Sequence, residues 1–275
     1  MRSAVDISKN WKHVLIACLI SPAVEAQVDG FNKGAGNMDV VTSFSYQKGL
    51  DYYLADGNAG IERNQQAVTL FAARGITGEL DLQLSVPFIW NSTEADFQDA
   101  SAFLKWLPVN TGIGKGRLAL GPALGYSLPL TDYQTEGVNA IGQQATGVIP
   151  MGVVQYTWDN GWFASLVGGE VFASDPTPDA LIGTLRFGHF NSTHFWEIYA
   201  QGQKADGGKN YRGTGDLAPT SFKELGVDFL KVGGKYYKLV CPRIGIVAEA
   251  NYVLSGRNVD QAVMGALSAV IHFGK

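Results

Sequence analysis

Beyond residue 26 this sequence has no apolar run approaching the roughly 20 residues that a membrane-spanning helix needs. Histidine and cysteine are scarce as well, with four and two in 275 residues. His189, His194 and His272, the histidines past residue 26, show no metal-ligand spacing, so neither a metal nor any other cofactor is expected. Basic residues do not outnumber acidic ones: 21 Lys and Arg stand against 25 Asp and Glu. That balance argues against a nucleic-acid partner, which would want a basic face. A phosphate cradle is missing too, because Gly112-Ile113-Gly114-Lys115-Gly116 lies between strands with no helix to follow it.

What is present begins with an export signal. Arg2, Lys9 and Lys12 make a basic start, Val14 to Ile20 is an apolar run, and Pro22 precedes the small-residue cleavage pattern Val24-Glu25-Ala26. Residues 1–26 are therefore predicted to be a signal peptide, and 27–275 the mature protein. The run is too short for a membrane anchor. Leu15-Ile16-Ala17-Cys18 resembles a lipid-attachment box, but only four apolar residues precede the cysteine. Removal of the signal leaves 18 Lys and Arg against 23 Asp and Glu, a net charge of -5, and leaves Cys241 without an intramolecular disulfide partner.

The mature chain alternates. In Leu80-Asp81-Leu82-Gln83-Leu84-Ser85-Val86-Pro87-Phe88, the even positions are apolar and Asp81, Gln83 and Ser85 face the other way. Met38 to Tyr46, Ala100 to Trp106 and Leu118 to Leu128 repeat the pattern. Segments of about ten alternating residues separated by turn residues are the signature of tilted spanning strands. About twelve are expected in all, which makes the fold class all-β: a transmembrane antiparallel barrel. The competing fold is a soluble sandwich.

Both ends of such a barrel lie in the periplasm, so short inner turns should alternate with longer outer loops. Gly75 to Gly78, Asn110 to Lys115, Asp159 to Gly161, Asn191 to Thr193 and Gly233-Gly234 read as the inner turns. Longer stretches at 48–63, 91–97, 129–144 and 205–221 read as outer loops, with shorter ones near 174–178 and 255–260. The last three strands are expected at about 222–232, 235–254 and 261–273. Val263, Gly265, Leu267, Ala269, Ile271 and Phe273 form an outward face that resembles the signal read by the barrel-assembly machinery. The segment Gln27 to Asn37 precedes the first strand, and alternation leaves open whether it plugs the barrel.

The stretch Gln65 to Phe88, with its Gly-Ile-Thr-Gly-Glu-Leu turn and Leu84-Ser85-Val86-Pro87-Phe88 ending, resembles the outer-membrane proteins grouped as the MetA-pathway phenol-degradation family. So do Phe97 to Ser101 leading to Lys105-Trp106, and Ser127 to Tyr133. The resemblance implies a barrel in the outer membrane of a Gram-negative bacterium that moves small solutes, hydrophobic or aromatic compounds among them.

The inward phases place Asp39, Asp81, Asp99, Lys105, Arg117, Arg186, Glu197, Glu224, Asp228, Arg243 and Glu249 toward the lumen. An Arg or Lys facing lipid at midplane would cost about 2–4 kcal/mol, which favours that placement. With a turn at Gly233-Gly234, Glu224 would oppose Arg243, while Arg186 and Glu197 would be diagonal neighbours. The functional reading of this lining is selectivity, and the structural one is a filling ion-pair network. Two other classes compete: a barrel whose outer loops bind something at the cell surface, and an outer-membrane lipid hydrolase. A hydrolase needs a nucleophile beside a histidine, and only Ser192 and His194 have the strand-face spacing. With no third group to orient them, an enzyme is not expected.

Overall fold

The computed structural model describes residues 28–136, 140–211 and 221–274. The predicted signal peptide and its cleavage point lie outside these residues. Twelve long strands carry the fold: β1 Met38–Leu54, β2 Asn64–Gly75, β3 Leu80–Trp90, β4 Asp99–Trp106, β5 Gly116–Pro129, β6 Gly147–Trp158, β7 Trp162–Ala173, β8 Ala180–Phe190, β9 His194–Ala205, β10 Asp228–Cys241, β11 Ile244–Arg257 and β12 Val259–Phe273. Each pairs antiparallel with the next in sequence, and β12 returns to pair antiparallel with β1 from Met38↔Phe273 to Tyr53↔Val259. The sheet is therefore closed and has no free edge, as a wall in hydrocarbon must be. Three short ladders, Gly57–Asn58, Ala95–Phe97 and Val109–Gly112, extend hairpins beyond it.

Side-chain alternation sorts residues between the two faces. Leu84, Leu124, Leu166, Leu181, Leu185, Ile198 and Leu267 stand outward and exposed, Leu181 at 64 % and Leu267 at 63 %. So continuous an apolar exterior would aggregate a soluble sandwich; in a membrane it is the lipid-facing band. At the seam Val40, Thr42 and Phe44 oppose Ile271, Ala269 and Leu267 on the outer face, while Asp39 and Ser43 oppose His272 and Ser268 inside. Ser268 donates a hydrogen bond of 2.9 Å to Ser43 there. Aromatic residues collect at two levels. Phe44, Phe88, Trp90 and Phe97 contact one another near the loop end, and Trp162 packs on Phe187 and Trp196 near the turn end.

The expected end of the chain differs from the observed one. Gly233-Gly234 is not a turn but the middle of β10, and the chain reverses instead at Pro242-Arg243. Proline cannot donate a ladder hydrogen bond, which suits it to that reversal. The glycine pair answers a packing demand. A Cβ on Gly233 would lie 2.5 Å from the Tyr199 ring, which occupies the interior beside it. The expected outer loop at 255–260 contracts to Asn258, which takes positive φ between β11 and β12.

Leu267→Arg puts a charge on the lipid face, and we expect it to lose about 2–4 kcal/mol, whereas Gln65→Lys on the interior face should fold normally. The heat-sensitive shift of the folded barrel on electrophoresis measures both, and equal behaviour would contradict the assigned faces.

Candidate functional site

Before β1, residues Val28 to Asn37 run inside the barrel. Val28 is fully buried among Phe103, Leu107, Ile149, Met151 and Val153, and the Phe31 ring meets Phe163 and Phe190 edge-on at 5.0 and 5.4 Å. Fully burying a side chain of this size stabilises by about 1.5–3 kcal/mol. Gly30 lets the segment approach β6: a Cβ there would lie 2.2 Å from the Cβ of Gln155, whose Oε1 instead accepts the Gly30 amide hydrogen at 3.2 Å. The segment is thus a plug, and it is fastened by charge as well as by apolar packing.

Two of its side chains complete ion pairs with the wall. Asp29 lies 3.1 Å from the Lys105 ammonium, which also reaches Asp81 at 3.3 Å and donates to the Phe31 carbonyl. Lys33 pairs with Asp39, and its backbone N–H donates to the Asp81 carboxylate at 3.1 Å. Arg186 donates to the Val28 carbonyl at 3.0 Å and lies 3.8 Å from Glu197, to which Lys235 adds a pair at 3.1 Å. Asp39, Asp81, Lys105, Arg186 and Glu197 therefore form one buried layer around the plug. Glu249 accepts from the Tyr199 hydroxyl at 2.6 Å, and Asn251 donates to the same hydroxyl.

Other expected lumen residues stand outside that layer, Asp99 still inside the barrel as a lining residue of its loop-side chamber. Asp99 lies nearer the loops and accepts from the Tyr133 hydroxyl at 2.7 Å. Burial, and then the Asp99 carboxylate, push the Tyr133 phenol well up, so it acts as a donor there. Arg117 has the inward phase but is exposed on the hairpin that runs past the wall, where it holds Asn110. Glu224 belongs to the 3-10 turn Phe222–Glu224 in an outer loop and pairs with Lys209; it does not oppose Arg243. Arg243 is exposed in the turn before β11, its carbonyl accepting from the His272 amide. Asp228 has the outward phase of Leu230 and sits at the rim with Lys204 and Arg257. The cause of the last three differences is the misplaced turn, which shifted the phase and boundaries of the strands around it.

The same shift hid Lys231, which is 3 % exposed and faces inward 5.7 Å from the Phe229 ring. Reading the alternation Phe229, Lys231, Gly233, Lys235, Tyr237 through the glycines would have found it. Asp29 and Lys33 had no signal of that kind, since they precede any strand. Arg63 and Asp260, expected in loops, form a bidentate pair at 2.8 Å.

On the loop side of the plug lies a chamber of about 240 Å³. Gln47, Gln65, Arg63 and Asp260 line it together with Val171, Ala180 and Val253. No group of His, Cys, Asp and Glu suited to a metal occurs among the described residues. Ser192 lies in an exposed turn, and the His194 ring meets the Tyr236 hydroxyl. His272 bonds Asp39 and Tyr237 at 2.8 and 2.7 Å, and all three are buried beneath the plug.

Lys105→Met leaves Asp29 and Asp81 buried without their shared cation, and we expect a loss of about 3–5 kcal/mol. Adding Asp81→Asn should recover part of it in a urea titration of the vesicle-embedded barrel. Gly233→Ala should cost about 1–3 kcal/mol by driving Tyr199 from its place, read in the same titration.

No family model matches the chain, and no curated protein does. Among solved structures, an outer-membrane channel from Pseudomonas putida F1 aligns with a TM-score of 0.67 at 14 % identity, covering 87 % of this chain and 96 % of that one. The KdgM porin aligns at 0.49 and 8 % identity over 85 % of this chain and 99 % of its own. The CymD monoaromatic hydrocarbon channel aligns at 0.44 and 8 % over 88 % and 90 %. At such identities the first of these likenesses speaks for architecture alone, and with the closed seam and the lipid-facing band it makes this chain a twelve-stranded β-barrel of the outer-membrane type.

Proposed function

We propose that this protein is an outer-membrane channel for small amphipathic solutes whose passage is closed by its own N-terminal segment. One observation carries the reading. The space inside the wall is filled at its narrow level by Val28 to Asn37, a segment outside the strand ladder of the wall, and not by wall side chains alone. An interior filled only for stability would need no separable piece. Twelve strands lie between the filled eight-stranded barrels and the open porins of 16–18 strands, so removing the plug would leave room for a small solute.

Cargo follows from the sequence and from the chamber. The resemblance of Gln65 to Phe88 and Ser127 to Tyr133 to the phenol-degradation family favours small ring compounds, and the chamber's mixed walls suit them. The Pseudomonas putida protein of the same architecture is itself described as a channel. Phe273, outward at the end of β12, is the residue that the assembly machinery would read.

Deletion of residues 28–36 is expected to raise single-channel conductance severalfold in planar bilayers, and to speed uptake of phenol by liposomes. Equal conductance before and after deletion, in a barrel that still shows the heat-sensitive shift, would overturn the plug as the closing element.

A further inference from the structure

The chamber above the plug is lined by amides whose orientation the protein itself fixes. Gln47 donates from its side chain to the Asp260 carboxylate at 3.3 Å, Gln98 to the Ile141 carbonyl at 2.6 Å, and Gln203 to the Val227 carbonyl at 3.0 Å. Gln143 donates to the carbonyls of Phe222 and Leu225 at 3.1 and 2.8 Å. Every partner is an acceptor, so the nitrogen of each amide is identified, and its carbonyl oxygen is the group it has left for a ligand. Ser127 and Thr177 add hydroxyls to the lining. They are 1 % and 9 % exposed, and neither oxygen has a hydrogen-bond partner among the described residues. A buried polar group left in that state is costly, and a ligand that supplies the missing bond removes the cost.

Charge and size narrow the ligand. The charged residues among the described lining are Arg63 and Lys231 against Asp99 and Asp260, two of each sign. An ion entering the chamber would lose its water without an excess of opposite charge in return, which favours an uncharged solute. Val171, Phe229 and Val253 supply apolar surface. Gln203 stands opposite Phe229 in the ladder of β9 and β10, so an acceptor and an aromatic ring adjoin on one face. Pockets for drug-sized molecules run to about 300–1,000 Å³. At about 240 Å³ this one suits a single ring.

We propose that the chamber is a binding site for uncharged single-ring diols and polyols. Their hydroxyls donate to the glutamine carbonyl oxygens and exchange hydrogen bonds with Ser127 and Thr177, and the carbon face of the ring lies against Phe229, Val171 and Val253. The proposal deepens the channel reading and rests on it only for direction, the chamber being the first stop of a solute arriving from the loop side. A bare hydrocarbon would leave the carbonyl oxygens and both hydroxyls unanswered.

The test compares trans-1,2-cyclohexanediol with its dimethyl ether, which keeps the ring and both oxygens but has no hydrogen to donate. Ligand-observed NMR titration of the full mature barrel in detergent, read against protein-free micelles, measures both. The diol should bind about tenfold more tightly than the ether, as two hydrogen bonds imply, and more tightly than cyclohexanecarboxylate or cyclohexylammonium. Gln203→Met should weaken the diol severalfold and leave the ether unchanged. Equal binding of diol and ether, no binding of the diol, tighter binding of either ion, or unchanged diol binding by a folded Gln203→Met barrel would overturn the proposal. If Gln203→Met does not fold, the comparison of probes on the unaltered protein still decides. Binding is read without transport, so the two readings fail separately. A barrel that conducts after plug deletion but does not distinguish the probes defeats this proposal alone, and one that prefers the diol but shows no gain in conductance after plug deletion defeats the plugged channel alone.

Discussion

The seam between β1 and β12 is what the rest of the structure depends on. In hydrocarbon an unpaired backbone N–H or C=O costs several kcal/mol, so a sheet with two edges could not stay there. Pairing from Met38↔Phe273 to Tyr53↔Val259 removes both edges at once. Closure then fixes everything inside. Each strand must send alternate side chains inward, and the twelve together enclose a space that their own side chains do not fill.

How that space is filled explains the charges. Each of Asp39, Asp81, Lys105, Arg186 and Glu197 would be costly if buried alone, and each has a partner of opposite charge or a backbone carbonyl. Two of those partners, Asp29 and Lys33, come from the plug and so complete the network. Apolar residues do the same: Val28 and Phe31 occupy clusters built from wall residues of several strands. A segment held this way is specific in position, although it joins no ladder of the wall.

The outer faces were legible because lipid imposes a simple rule on them. Leu80, Leu82, Leu84, Val86 and Phe88 share one face in the sequence and one face in the barrel, and Val263 to Phe273 do the same. Glycine misled where its role was packing. Gly233-Gly234 has the composition of a hairpin turn, but the reason for glycine at position 233 is the Tyr199 ring from the neighbouring strand, which no local pattern reveals. Moving that one reversal to Pro242-Arg243 changed the surroundings of Glu224, Asp228 and Arg243, and brought Lys231 inside.

By itself, the sequence determined the barrel, its approximate strand number and which side chains meet lipid, because period-two alternation is a local property set by the pleat and by the cost of polar groups in hydrocarbon. Only the tertiary structure decided what fills the interior. Asp29 with Lys105, Lys33 with Asp81, and Arg63 with Asp260 are joined across 76, 48 and 197 residues of chain, and closure of the wall, not any pattern along it, brings them together.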